Sequence, residues 1–160
     1  MDESFKLMDK ISKNISYKEA IHSATAKRRD IDNSPDSEQV AAMLSIAEMI
    51  FQPLREWVGG PIKINSFFRS EHLNAAIGGS SKSQHCLGQA MDLDDVFGYK
   101  TNAEMFNWII ENLNYDQMIW EFGDDENPAW VHVSYVDVQE NRNRCLKAYK
   151  KKGKTKYAVI

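Results

Sequence analysis

His85 and Asp92 stand seven residues apart in the stretch Ser83-Gln84-His85-Cys86-Leu87-Gly88-Gln89-Ala90-Met91-Asp92. If the chain turns after the histidine and re-enters as a strand, the imidazole and the carboxylate face one point. That pair suits Zn²⁺, which takes nitrogen and oxygen donors at roughly 2.0–2.2 Å. A catalytic zinc ion typically keeps three protein ligands and leaves a fourth position open, so a distant histidine such as His132 would complete the set. On spacing alone, a loop histidine and a solvated carboxylate are the commoner source of such a pair.

Two further blocks add weight. Upstream runs Ser66-Phe67-Phe68-Arg69-Ser70-Glu71-His72-Leu73-Asn74, and downstream Trp130-Val131-His132-Val133-Ser134. With Ser83, His85, Gly88, Ala90 and Asp92 spelling SxHxxGxAxD between them, the three blocks in this order resemble the zinc peptidoglycan peptidases. That family includes D-alanyl-D-alanine carboxypeptidases, dipeptidases and the L-alanyl-D-glutamate endopeptidases of phage endolysins. The resemblance covers residues from near 61 to near 135.

It implies an α+β fold in which a small, mainly antiparallel sheet carries the zinc site and packs against several helices. It also implies one Zn²⁺ held by His85, Asp92 and His132. Arg69 then matches the arginine that holds substrate, through its carboxylate or through the oxygen of the scissile peptide, and a planar fork of donors suits both roles. Ser83 matches a serine that hydrogen-bonds substrate. The implied partner is the stem peptide of peptidoglycan, and the implied activity is that of a carboxypeptidase or endopeptidase.

Hydrolysis also needs a proton carrier, since a water attacking a carbonyl must lose a proton that the leaving amine later gains. Many relatives place a Glu or Asp three residues before the last histidine, where this chain has Ala129. Others use a histidine two before it, where Trp130 stands. Glu121 is the leading replacement, because it ends a strand expected to pair with the His132 strand; Glu126 and Asp125 are runners-up. If none serves, the chain is a non-catalytic zinc-stabilised binding domain, as in hedgehog signalling domains, whose fold resembles this family's. A cytoplasmic dipeptidase acting on free D-Ala-D-Ala is a second alternative.

Each of these residues also has a plainer reading. Arg69 is otherwise a surface arginine paired with Glu71 or Glu56, Ser83 a loop cap, and Glu121 a strand-end carboxylate in solvent. Cys86 reads as a small packed side chain, because a neighbour of His85 in an extended segment points the other way. Cys86 and Cys145 form no metal-type spacing or disulfide framework and read as free thiols. His22 and His72 read as helix-surface histidines. Asp94 shares a strand face with Asp92 and could support a ligand, while Asp95 leads into the turn at Gly98. The run 78–83 lacks Walker spacing and reads as a turn lining the cleft.

The positioning elements follow from pattern. Ser16 and Glu19 have the form of a capping box and predict a helix to about residue 27, followed by a polar loop over 28–37. Val40, Met43, Leu44, Ala47, Ile50, Phe51 and Leu54 recur at helical spacing and predict a core-facing helix over 37–58, stopped by Gly59-Gly60-Pro61. Strands are predicted over 62–67, 89–93, 116–122 and 129–136, with short helices over 70–77 and 102–113. Asn74 reads as a structural hydrogen-bonding residue. The loops 28–37 and 124–128 are the expected cleft walls.

One hundred and sixty residues suit a single zinc peptidase domain, and 42% hydrophobic composition is ample for its own core. A net charge of −3 gives no broad basic field, so nucleic acid is not an expected partner. A basic C-terminal tail is read from about residue 141, carrying Arg142, Arg144, Lys147 and Lys150-Lys151-Lys152-Gly153-Lys154. It is either a solvated turn between two short segments or an attraction to an anionic cell wall. Residues 1–13 lack the apolar core of a signal peptide, and no apolar run is long enough to span a bilayer. The expectation is a monomer without membrane insertion, made in the cytoplasm and acting on the wall after release, as a phage endolysin does.

Overall fold

Two serines decide how the chain starts. In the computed structural model, which describes residues 9–160, a short hairpin of β1 (Lys10–Ser12) and β2 (Ile15–Ser16) leads into α1 (Tyr17–Ala20). The Ser16 hydroxyl accepts from the Glu19 amide at 3.0 Å and caps that helix. The Ser23 hydroxyl accepts from the Ala26 amide at 3.1 Å and opens a second helix, α2 (Ala24–Arg29). A side-chain acceptor that captures an amide resets the helix start, so the single predicted helix is two. Of the leading residues 1–13, those before Asp9 lie outside the described residues.

The long helix predicted over 37–58 forms, with one local change. Asp36 and Gln39 make a reciprocal capping box at the start of α3 (Ser37–Ile46), which continues through a π-helical turn (Ala47–Phe51) into α4 (Gln52–Val58). Pro53 explains the wide turn: it has no amide to give the Met49 carbonyl, and its ring would strike that carbonyl in a regular helix. The stripe of Val40, Met43, Ala47, Ile50, Phe51 and Leu54 is fully buried, and Gly59 closes the helix at φ +77°. The methionine in that stripe is core.

Six strands form the main sheet: β3 (Lys63–Ser66), β4 (Ala90–Asp94), β5 (Gln117–Glu121), β6 (Trp130–Ser134), β7 (Arg144–Lys151) and β8 (Lys154–Val159). Their order is β3-β4-β6-β5-β7-β8, antiparallel throughout except for the parallel β5–β7 pair. The fold is α+β. The stretch read as a basic tail is therefore the hairpin at one edge of this sheet, with Lys152-Gly153 at its turn.

Alternation assigns the two sheet faces. Met91, Leu93, Met118, Trp120, Val131 and Val133 point to the helices and make the core with α3, α4 and α5 (Asn102–Asn112). The opposite face carries one row across four strands, Ser66, Asp92, His132 and Ile119, and beside it Glu121 next to Trp130. Among the described residues no helix is long and apolar enough to cross a membrane.

Buried amides tie the connecting segments down. Asn102 Nδ2 donates to Asp94 Oδ1 at 2.8 Å and to the carbonyls of Pro128 and Ala129, which joins the end of β4 to the approach to β6. Asp94 is thus engaged away from Asp92, and Asp95 accepts from Gly98 in the following turn. Asn33 donates to the carbonyls of Ile21 (2.8 Å) and Phe68 (3.2 Å) and accepts from the Ser70 amide (2.7 Å), gripping the chain on both sides of Arg69. Removing it strands three backbone groups with little water access. Asn33→Ala is expected to cost about 2–4 kcal/mol, read as a lowered thermal midpoint by circular dichroism; a loss below about 1 kcal/mol would mean that water replaces the amide.

Candidate metal centre

The first candidate ligand comes from a turn that its own sequence shapes. Ser83 caps a single 3-10 turn (Gln84–Leu87), its hydroxyl accepting from the His85 amide at 3.3 Å. Gly88 ends the turn at φ +74°, and a Cβ there would lie 2.5 Å from the Gln39 carbonyl oxygen, so both dihedral and space require glycine. Gln39 also donates to the Cys86 carbonyl at 3.0 Å, fastening the turn to α3. His85 is buried, and its Nδ1 lies 2.8 Å from the Phe67 carbonyl oxygen. Only an N–H satisfies that oxygen, so Nε2 carries the free lone pair.

That nitrogen faces Asp92. His85 Nε2 lies 3.3 Å from Asp92 Oδ2, and His132 Nδ1 lies 2.9 Å from Asp92 Oδ1. One ligand atom from each of the three residues falls within 4.8 Å of the other two, the one such group among the described residues. Burial alone would raise the Asp92 carboxyl, but the two imidazoles, through charge and hydrogen bonding, hold it well below the usual carboxylate range. Donors held at about 2.1 Å around a tetrahedral ion stand about 3.4 Å apart. The spacing and the two-nitrogen, one-oxygen donor set both fit Zn²⁺.

Cys86 stays out of the group. Its thiol is free and buried, and burial pushes its pKa up, which is the opposite of what a metal-binding thiolate needs. Cys145 is also free, with its sulfur 3.2 Å from the Tyr115 hydroxyl. His22 and His72 are exposed and lie outside the group.

Arg69, Ser83 and Glu121 all line the same cleft as the three ligands, a cavity of about 470 Å³. Arg69 forms no ion pair among the described residues; Nη1 donates to Asn74 Oδ1 at 2.9 Å, and Nη2 lies 3.4 Å from Ser66 Oγ. Asn74 in turn donates to the Ser80 carbonyl at 2.8 Å, so it orients the arginine and holds the loop beside it. Ser83 both caps the turn and faces the cleft.

Glu121 is not a solvated strand end. It is 8% exposed, and its carboxylate makes no hydrogen bond among the described residues. Burial pushes its carboxyl up to about 7; His132 opposes that rise and Asp92 adds to it. Asp125 instead pairs with Lys147, and Glu126 is exposed on the same loop.

The expected cleft walls are wrong. Neither 28–37 nor 124–128 supplies a lining residue; the walls are Ser80, Lys82 and Gln84 on one side and Arg142, Leu146 and Tyr157 on the other. The first loop acts from beneath, through Asn33, and the second turns back on itself through Asp124, which accepts from the amides of Glu126 and Asn127. Sequence reasoning missed Arg142 and Tyr157 because they reach the cleft only through the parallel β5–β7 pairing. It also missed Asp116, a buried carboxylate beneath Arg142. Burial would raise Asp116, but hydrogen bonds from Arg142 and Gln84 hold it at about 2.

The family model for Peptidase M15 matches the chain over residues 13–134. The chain belongs to the peptidase M15 family. M15 peptidases are zinc-dependent metallopeptidases, and the donor set above has the composition such an enzyme needs. His85, Asp92, His132, Arg69, Ser83 and Glu121 all fall inside the matched span, whereas Arg142, Leu146 and Tyr157 lie beyond it. No curated protein matches the chain.

Two measurements test the centre. Alanine at His85, Asp92 or His132 is expected to reduce bound zinc from one equivalent to near none by elemental analysis, with Ala at His22 or His72 as the unaffected control. Full zinc in any of the three would remove that residue from the ligand set. The second concerns metal-free protein. Because the folded Glu121 carboxyl binds its proton up to about pH 7 while the unfolded one releases it near the ordinary glutamate value of 4.5, the folded state binds more protons between these values and loses stability as the pH rises through them. Relative to Glu121→Gln, wild type should lose about 1–3 kcal/mol between pH 4.5 and 8; a difference independent of pH would mean an ordinary, solvated carboxyl.

Proposed function

We propose that this M15 family member hydrolyses a peptide bond in the stem peptide of peptidoglycan, as a carboxypeptidase or endopeptidase of the endolysin type. The observation that carries this reading is Glu121. A buried, unpaired carboxylate two residues along the strand from Ile119, the cross-strand neighbour of His132, stands on the same sheet face as the His85–Asp92–His132 group. A domain that used the metal only for stability would have no use for a largely buried carboxyl that faces the cleft without a side-chain hydrogen-bond partner.

His85, Asp92 and His132 would hold the ion. When bound, Zn²⁺ supplies Lewis acidity that polarises a peptide carbonyl and makes water easier to deprotonate. This chain's residues supply the remainder. The Phe67 carbonyl fixes the His85 tautomer, and Asp92 remains ionised between the two imidazoles. Glu121, ionised at the start of a cycle, accepts the proton that the attacking water loses and then delivers it to the departing amine nitrogen as the C–N bond breaks. Its elevated pKa suits both halves of that transfer at neutral pH. Arg69, with donors left over after Asn74 and Ser66, orients the substrate carbonyl or carboxylate, and Ser83 adds a hydroxyl at the rim.

Ala129 then has an explanation. Its amide donates to the Glu121 carbonyl at 2.8 Å, so the position where relatives carry the acid directly adjoins the strand end that carries it here. Zinc-loaded protein incubated with muropeptides should give a zinc-dependent product whose mass names the bond. Turnover of free D-Ala-D-Ala alone would make it a dipeptidase, and no product at all would leave only the binding domain. Glu121→Gln should retain one zinc and lose roughly 10²–10⁴-fold in turnover; unchanged turnover would remove Glu121 from the mechanism.

A further inference from the structure

Asp116 is 1% exposed, yet it is not an isolated buried charge. Its Oδ1 accepts from the backbone amide and Nε of Arg142, both at 3.0 Å. Its Oδ2 accepts from Arg142 Nη2 (2.8 Å), Gln84 Nε2 (3.0 Å) and the Ser134 hydroxyl (3.1 Å). Five donors converge on one carboxylate. Holding the loop that carries Arg142 would need only the backbone contact; engaging Nε and Nη2 together also fixes the plane of the guanidinium.

That plane belongs to the cleft. The Arg142 side chain is about half exposed, 49%, and lines the cavity that holds His85, Asp92 and His132. Asp116 occupies Nε and one hydrogen of Nη2; Nη2 also stands 3.5 Å from Gln84 Oε1, at the long limit of a hydrogen bond, and Nη1 has no partner among the described residues, so the end of the fork formed by Nη1 and Nη2 is open to a stronger acceptor. Two parallel N–H donors on such an edge match a carboxylate. In sheet order Arg69 follows β3 on one flank of the ligand strands β4 and β6, while Arg142 precedes β7 on the other, with the Gln84–Leu87 turn between them. Lys82 adds a third cation to the lining. A cleft with three cations in a chain of net charge −3 is a local arrangement, not a reflection of overall composition.

We propose that Arg142, positioned by Asp116, binds a carboxylate of the substrate that is separate from the group Arg69 engages, so that the cleft selects peptides with two free carboxylates. This rests on the stem-peptide reading above and sharpens it. A stem peptide offers such groups on its D-glutamate α-carbon and at its C-terminus. Because Arg142 lies beyond the span matched by the family, this selection comes from the chain's own β6–β7 connection.

The test uses zinc-loaded Glu121→Gln protein, so that peptide is not consumed, and follows binding by calorimetry. The probes are the synthetic pentapeptide L-Ala-γ-D-Glu-L-Lys-D-Ala-D-Ala and its amides at the D-glutamate α-carboxyl, at the C-terminus, or at both. One single amide is expected to bind about 10–100-fold more weakly than the free peptide, and Arg142→Gln should erase that difference while the penalty for the other amide persists. Asp116→Asn combined with Arg142→Gln removes the buried charge together with its partner, so the protein keeps its fold; it should show the same lost discrimination with an unchanged thermal midpoint. Arg142→Lys should restore part of it.

If Arg142→Gln weakens free and amidated peptides equally, or lowers only the thermal midpoint, Arg142 is a structural staple and the inference fails while the hydrolase reading stands. Arg142-dependent discrimination without any hydrolysis by the wild type would overturn the hydrolase reading and leave the inference intact. No binding of any peptide would overturn both.

Discussion

The register of β4 against β6 is the constraint on which the site depends. Asp92 sits directly opposite His132, so the two side chains emerge on the same face within hydrogen-bonding distance. A slip of one residue would send His132 into the core among Met91, Val131 and Val133 and bring a valine to the cleft. The apolar alternation on the other face therefore fixes the metal group indirectly. Those valines and methionines cannot leave the helices without losing roughly 25 cal/mol for each Å² of apolar surface they bury, so the ligand face has a single arrangement.

Around that pair, the protein uses buried polar groups to set local rigidity and charge. Asn33, Asn74 and Asn102 each satisfy several carbonyls or amides of segments with no regular partners, which holds Arg69, the Ser80 loop and the approach to β6 in place. Three carboxylates on the cleft side then differ because their surroundings differ. Asp92 lies between imidazoles and stays charged, Asp116 is surrounded by donors and stays charged, and Glu121 has burial without donors and shifts toward neutrality. The same side-chain chemistry thereby yields a candidate metal ligand, an anchor and, in the proposed mechanism, a proton carrier.

The ligand stretch was the most legible part of the sequence, since a capped turn, a glycine and an alternating strand are local signals. Ser83, Gly88 and Asp92 state that geometry within one run of residues, and the apolar stripe from Val40 to Leu54 states its helix equally well. What was not legible depends on contacts between distant segments. The parallel pairing of β5 with β7 turns an apparent tail into a cleft wall, and no periodicity within residues 144–159 reveals which strand they join. Glu121 could be named from its strand, but its burial arises from its neighbours on β6, β7 and β8, Trp130, Ala148 and Tyr157. The helix break at Ser23 was local and still missed, because the Glu19 signal favoured a single start while a second serine offered the backbone a competing acceptor.

The central claim is that two imidazoles and one carboxylate, and neither cysteine, form the metal site. X-ray absorption at the zinc edge, on protein loaded with one equivalent, tests it directly. The expected spectrum has only nitrogen and oxygen donors at about 2.0–2.1 Å, with the outer-shell scattering of two imidazole rings. A sulfur scatterer near 2.3 Å, or scattering from fewer than two imidazoles, would contradict it.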